Sequence, residues 1–500
     1  MFRVFGPPGT GKTTTLLNLV DRALDEGVEP NKIGFFAFTR KAANEARERA
    51  CTRFGFDLEN DLPYFRTLHS FAYRALGVRE RDMISREHYR QFAEATGFEM
   101  STTMSSPDNE TVVSKRDHPI LSLIQLARLK KNDLRREYDL SNINHTWVEV
   151  DYVARSYQNF KDANAIMDFT DLLELFVKEA DKLIPEFDLC VLDEAQDLSN
   201  LQWDIAHQLD KRSKKMYCAG DDDQAIYRWA GANVDQFISL SGGVEVLEQS
   251  YRVPSLIHKL AEGIATQIRN RFPKVYKPRD KSGEIIRLHD VREIDMSHGS
   301  WLVMSQANHM LHPVAEELKS NGYLFEYKGA RSISDRLSHA INGWEQMRNG
   351  KAITPHAARA IYSYMTGNGV RVKRGYKTID CEDDDLLTLE QLQEEFGLLA
   401  TKDMIWHEAM DKMPNLDRAY VTALLRRGEK FNAIPRIRLS TIHGTKGGEA
   451  ENVVVITDLT MSALDSPSDD LHRMFYVAVT RTMERLFIIE PDDYGRAYNL

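Results

Sequence analysis

Nowhere in this 500-residue chain does an apolar run approach the ~20 residues that a membrane-spanning helix needs. The opening stretch MFRVFGPPGTGK lacks the charged region followed by an apolar one that marks a secretory leader. Cysteine is scarce. Cys51, Cys190, Cys218 and Cys381 stand far apart without a CxxC pair, which reads as ordinary buried thiols in a reducing, cytoplasmic compartment. Positive charge is not in surplus: 65 Lys and Arg stand against 75 Asp and Glu, for a net charge of −10. That balance argues against a protein that coats nucleic acid, but not against one that grips a strand in a local groove. No short-period repeat and no low-complexity tract occurs.

What the chain does have is length and alternation. Five hundred residues exceed one core and predict two to four domains. Short apolar runs such as FRVF, IGFFAF, FDLCVL, KMYCA, VEVL, EIIRL, WLVMS, IRLST, NVVVI and RLFII alternate with helical spacing. Strands alternating with helices predict parallel α/β sheets, and there are enough strands for two. Two segments break the rhythm. Residues 79–159 hold polar helices, a loop at MSSPDNET and the basic run RLKKNDLRR (128–136). Residues 336–431 read as helical, with basic VRVKRGYK beside acidic DCEDDD. Both have the character of insertions into α/β domains.

Three runs carry chemistry. GPPGTGKT (Gly6, Pro7, Pro8, Gly9, Thr10, Gly11, Lys12, Thr13), with Thr14 behind it, fits G-x4-G-K-[ST] between a strand and a helix. Its glycines let backbone N–H groups face phosphate oxygens at a helix N-terminus. Lys12 can reach the β- and γ-phosphates of ATP, and the Thr13 hydroxyl can ligate Mg²⁺. In LCVLDEAQD, a buried strand delivers Asp193, a second Mg²⁺ ligand, and Glu194, a base for the attacking water. Read alone, DEAQD could equally be an acidic helix start. In YCAGDDDQAIYRWAGA, Gln224 stands where a neutral side chain can sense the γ-phosphate, while Asp222 and Asp223 could be a solvated turn.

Taken together and in order, these runs resemble the UvrD/Rep/PcrA-like superfamily 1 DNA helicases. The similarity extends through FFAFTRKAANEARER (35–49), FRTLHSFAYRAL (65–76), DFTDLLELF (168–176), LEQSYRVPSLI (247–257), SWLVMSQANHMLHPVAEELKSNG (300–322), IRLSTIHGTKGGEAENVVVI (437–456) and MFYVAVTRTMERLFII (474–489). The resemblance implies an α/β fold of two RecA-like P-loop domains with parallel sheets, each carrying a mainly helical insertion. The expected boundaries are 1–78 with 160–250, an insertion at 79–159, 251–335 with 432–500, and an insertion at 336–431. It implies that Arg252 and Arg481 reach the γ-phosphate, where a cation stabilises developing phosphoryl charge. It implies that Tyr251 stacks on adenine and that Glu449 lies near the ribose. Phe38, Thr39, His69, Tyr227, Trp229 and His443 fall on positions that line a single-strand channel, although core packing is the alternative for Phe38 and Tyr227. RLKKNDLRR could track phosphates or be a solvated helix face.

Some positions depart from the family pattern. A glutamine-bearing segment normally precedes the first strand; without it adenine contact rests on Tyr251, and GTP or CTP hydrolysis within about tenfold of ATP is expected. Ala230 replaces an arginine, and Gly448 and Ala450 replace bulky apolar residues. The second insertion is short, which puts strong unwinding in more doubt than translocation. The expected function is an ATP- and Mg²⁺-dependent 3′–5′ helicase or translocase on single-stranded DNA and its duplex junctions, with no membrane partner. It would be cytoplasmic, or in the host cytoplasm if phage-encoded. Two alternatives are a DNA-stimulated motor that remodels protein–DNA complexes with a loading or repair partner, and a nucleotide-dependent regulatory switch.

Overall fold

The computed structural model describes residues 1–500 except 38–39, 58–60, 99–117, 377 and 383–384, so the MSSPDNET loop lies outside the described residues. The chain divides into two units, Met1–Ser282 with Ser466–Thr480, and Gly283–Asp465 with Arg481–Leu500. The expected boundary at residue 251 differs from this division, which keeps residues 251–282 with the first unit. A local reason is that the helix Ser255–Ala265 packs on the helix Ser468–Val479, which closes over the turn Asp222–Gln224.

The first unit holds a six-stranded sheet formed by β1 (Phe2–Phe5), β2 (Ile33–Ala37), β3 (Phe65–Thr67), β4 (Phe187–Leu192), β5 (Ser213–Gly220) and β6 (Val244–Val246). Its order is β3-β2-β4-β5-β1-β6, and every pairing is parallel. β2 is buried throughout and β1 and β4 nearly so, as parallel strands covered on both faces are. A two-stranded pair, β7 (Gln249–Pro254) and β8 (Lys277–Arg279), follows. Between β3 and β4 the described chain is helical. Ile84, Phe92, Ile120, Val150 and Tyr157 gather there into a separate hydrophobic cluster.

The second unit contains β9 (Glu284–Leu288), β10 (Trp301–Ser305), β11 (Phe325–Tyr327), β12 (Ala330–Arg331), β13 (Ile437–Thr441), β14 (Ala450–Ile456) and β15 (Thr482–Ile489) in the order β12-β11-β13-β10-β14-β15-β9. All of its pairings are parallel except β11 with β12. Helices fill the stretch between β12 and β13, and Trp344, Ile361, Leu392, Met410 and Leu424 anchor their core. Among the described residues no helix is long and apolar enough to cross a membrane.

Candidate nucleotide site

The glycine-rich loop leaves β1 where β1 lies between β5 and β6, at the reversal of strand order where open α/β sheets bind ligands. The Gly6 N–H donates to the Gly220 carbonyl (2.9 Å), which pins the loop to the end of β5. A Cβ at Gly6 would lie 2.8 Å from the Lys12 Cβ, so the residue's smallness is what lets the loop fold over its own lysine. Gly9 has φ +72° and backs onto the Arg252 Cβ, which any side chain there would strike. The link to β7 is reinforced by Tyr251 N–H donating to the Gly9 carbonyl (2.8 Å) and the Ser250 hydroxyl donating to the Pro8 carbonyl (2.7 Å). The helix Lys12–Asp25 then starts at Gly11 with no side-chain cap and no acid in its first turn. Its N-terminal N–H groups and their positive potential are therefore left for an anion.

Strand β4 ends at Leu192, and the next two residues turn towards Lys12. The Lys12 ammonium lies 3.4 Å from the Asp193 carboxylate and hydrogen-bonds Glu194. Both carboxylates outweigh burial and raise its pKa. Thr13 donates its hydroxyl to Asp193 over 3.3 Å. Burial pushes the Asp193 carboxyl above its ordinary value; Lys12 opposes this and the neighbouring Glu194 adds to it. Glu194 is held at φ +57°, an unusual backbone conformation for a residue with a side chain and one that clusters at functional sites. Buried Gln196 fixes its other oxygen, donating to Glu194 over 2.6 Å while accepting from the Asp221 N–H (3.1 Å). Gln224 donates to the Asp221 carboxylate (2.7 Å), so Glu194 and Gln224 are tied to one turn through Asp221 and Gln196.

That turn is not solvated. Asp221, Asp222 and Asp223 are fully buried around the Lys274 ammonium at 3.1, 2.6 and 2.7 Å, and Arg271 grips Asp223 with two nitrogens at 2.8 and 2.6 Å. The solvated reading of Asp222 and Asp223 is therefore overturned: buried carboxylates require partners, and these come from a segment some fifty residues further on. Sequence reasoning missed Lys274, Arg271 and Gln196. The only signal was the excess of acid in DDD, which demanded a cation without saying which.

The remaining candidates are distributed as follows. Thr14 and Tyr251 are exposed, Tyr251 by 70%. Arg252 is half-buried against the loop. Phe38 and Thr39 lie outside the described residues. His69 is buried on the helix Leu68–Ala75 edge-on to Phe169, and desolvation pushes its pKa down to about 4. Tyr227 is buried and Trp229 half-buried, with ring centroids 6.4 Å apart. A strand reaching His69 or Tyr227 would have to move the side chains that cover them. In the second unit, buried Arg481 donates to the Gly448 carbonyl (3.3 Å), beside exposed Glu449. His443 is half-buried in the turn His443–Thr445 that follows β13.

Among the described residues no three His, Cys, Asp or Glu side chains gather to hold a metal. The donor set nevertheless fits Mg²⁺, which takes one or two protein oxygens and fills its other positions with phosphate and water. Thr13 and Asp193 offer those oxygens side by side.

A parallel sheet whose first strand runs into a phosphate loop, with a lysine between two acids that follow β4, defines a P-loop nucleotide-binding protein. Residues 2–244 match the profile of the UvrD/REP helicase N-terminal domain, and residues 436–489 match that of the UvrD-like helicase C-terminal domain. The chain belongs to the UvrD/Rep/PcrA-like superfamily 1 helicases. It is 28% identical over 293 residues to the ATP-dependent DNA helicase PcrA of Leuconostoc citreum, covering 56% of this chain and 39% of that protein. PcrA of Staphylococcus aureus is likewise 28% identical over 298 residues, covering 56% of this chain and 40% of that protein. The chain thus spans about two fifths of the curated relatives it matches. The solved arterivirus nonstructural protein 10 helicase aligns with 98% of this chain and 60% of its own at 10% identity and a TM-score of 0.35, too low to bear on the assignment.

Proposed function

We propose that this chain is an ATP-driven motor that moves along single-stranded DNA and opens the duplex ahead of it. The observation that carries the reading is Lys12, held between Asp193 and Glu194 at the mouth of a phosphate loop that Arg252 backs.

The loop N–H groups and the uncapped helix N-terminus receive the phosphates of ATP. An arriving triphosphate competes with both carboxylates for Lys12, so nucleotide binding and release of Glu194 are one event. Glu194, still held by Gln196, takes the proton of the attacking water. Thr13 and Asp193 would hold Mg²⁺, which when bound neutralises phosphate charge. Arg252 and Arg481 are the cations that the family resemblance implies for the γ-phosphate. Gln224 reports the state of that phosphate through Asp221 to the buried turn. Tyr251 serves the base and Glu449 the ribose. Phe38, Thr39, His69, Tyr227, Trp229 and His443 serve the strand, and movement runs 3′ to 5′ as the family resemblance implies.

Steady-state ATPase with and without oligo-dT tests this reading. DNA should raise the rate by about tenfold or more, with the gain falling as salt rises. E194Q should lower kcat by about 100-fold or more. A rate indifferent to DNA would overturn the motor and favour a nucleotide switch. Duplexes with 3′ or 5′ tails then read the polarity.

A further inference from the structure

Residues 269–276, between the helix Ser255–Ala265 and β8, form neither helix nor strand, so side chains must hold them in place. Those side chains converge on the start of the phosphate loop and on the turn Asp222–Gln224. Phe272 stacks on Phe5, the residue before Gly6, with ring centroids 4.1 Å apart and planes 8° from parallel. Its N–H donates to the Asp222 carboxylate (2.7 Å). Arg473, fully buried on the helix Ser468–Val479, donates to the Asn270 carbonyl (2.6 Å) and to the Asp222 carbonyl (2.9 Å), which fastens segment and turn together a second time. Gly6 is itself bonded to the Gly220 carbonyl (2.9 Å), so loop, turn and segment form one closed set of contacts.

At the centre of that set is Lys274, whose side chain is 1% exposed and whose ammonium lies 5.8 Å from the centre of the Phe5 ring. Holding segment to turn needs no charge. Desolvating an ammonium and three carboxylates offsets much of their attraction, and apolar side chains would pack as well. What charge adds is direction. Asp221, 3.1 Å from the Lys274 ammonium, also accepts from the Gln224 amide nitrogen (2.7 Å). An ammonium only donates, so the carboxylate it shares with Gln224 accepts on both sides. Gln224 therefore turns its nitrogen to Asp221 and its carbonyl oxygen the other way, and that oxygen is the atom to which an attacking water can donate. The Asp221 N–H is held by Gln196, which also holds Glu194, so Asp221 stands between Lys274 and both groups proposed to meet the water.

We propose that Lys274 is a positioning residue for ATP hydrolysis, acting through Asp221 to fix which atom of the Gln224 amide faces the γ-phosphate and its attacking water. The proposal rests on the reading of Gln224 as the residue that meets the γ-phosphate. Phe272 and Arg473 hold the turn against the loop, and Lys274 sets its direction.

The test is a double-mutant cycle read in the steady-state ATPase of the full chain with oligo-dT present. K274M and Q224A should each lower kcat by about tenfold or more and move the KM for ATP by less than about threefold, because the lost alignment matters in the transition state. In the Q224A background K274M should cost less than about a further twofold, since the amide it orients is gone. K274M/D222N removes one acid together with the cation, so it should melt closer to the parent than K274M and show the same coupling to Q224A. K161M is the control: its cluster shares no residue with the nucleotide site, so it should unfold more easily yet keep kcat within about twofold. Losses from K274M that are as large in Q224A as in the parent, or that K161M reproduces, would overturn the proposal and leave the reading of Gln224 standing. An unchanged kcat in both Lys274 variants would do the same. No loss of kcat in Q224A would overturn that reading and the proposal with it.

Discussion

Two of the lysine–carboxylate clusters in the first unit are built from the same residue types, yet their central aspartates behave in opposite ways. In one, Asp168 accepts from Lys161 (2.8 Å), Arg128 (3.2 Å), Gln125 (2.9 Å) and the N–H groups of Thr170 (2.9 Å) and Asp171 (2.8 Å). Burial would raise its pKa, but Arg128 and Lys161 overcome this and hold it well below the usual carboxylate range. In the other, Asp193 has Lys12, the Thr13 hydroxyl and the Glu194 N–H, and its pKa is raised. The cluster at Asp168 is satisfied and locks the helix Trp147–Asn164 to the helix Phe169–Leu183. The cluster at Asp193 is short of positive charge, which suits a site that exchanges its cation for a ligand. What differs between Asp168 and Asp193 is how many cations and hydrogen bonds reach a buried carboxylate, and the direction of each pKa follows from that.

The comparison can be broken most forcefully at Lys161. K161M leaves buried Asp168 and half-buried Asp171 with one cation fewer, and a loss of about 3–5 kcal/mol is expected in urea or thermal unfolding. E194Q, despite its effect on turnover, should unfold within about 1 kcal/mol of the parent because it relieves a like-charge pair. Equal losses in the two variants would erase the distinction.

His69 sharpens the contrast by pH, since it is buried with no partner charge. Its folded pKa of about 4 lies below the unfolded value, so the unfolded chain binds the extra proton. Stability should therefore be full above pH ~6.5 and fall by about 3 kcal/mol as pH drops towards 4. H69N should remove that part of the slope, and matching slopes in parent and variant would show that His69 does not titrate this way.

The smallest effect belongs to the exposed pair Lys131–Asp204 (2.6 Å). K131Q should cost no more than about 1 kcal/mol. Three further cations of the basic run RLKKNDLRR are engaged within the protein, with Arg128 on Asp168, Asp171 and Glu174, Lys130 on Glu137 and Arg135 on Asp139. Arg128 and Lys130 are thereby committed to partners inside the protein, while Lys131, Arg135 and Arg136 stay exposed.

Much of the molecule was legible from local pattern. GPPGTGKT and DEAQD announced their strand–loop geometry because a phosphate loop needs glycines, a lysine and a hydroxyl within eight residues. Alternating apolar runs announced parallel α/β sheets because buried strands and covering helices differ in period. The short strands β3, β8, β11 and β12 were not foreseen; at two or three residues they carry no period to read.

By itself, then, the sequence determined the fold class, the family and the phosphate loop, since each is written in residues that act on near neighbours. Only the tertiary structure decided which charges are spent. It set Lys274 and Arg271 on the three aspartates and Gln196 between Glu194 and Asp221. Burial and partnership depend on which distant segments meet. A carboxylate's pKa, and with it the chemistry open to it, is fixed by those meetings.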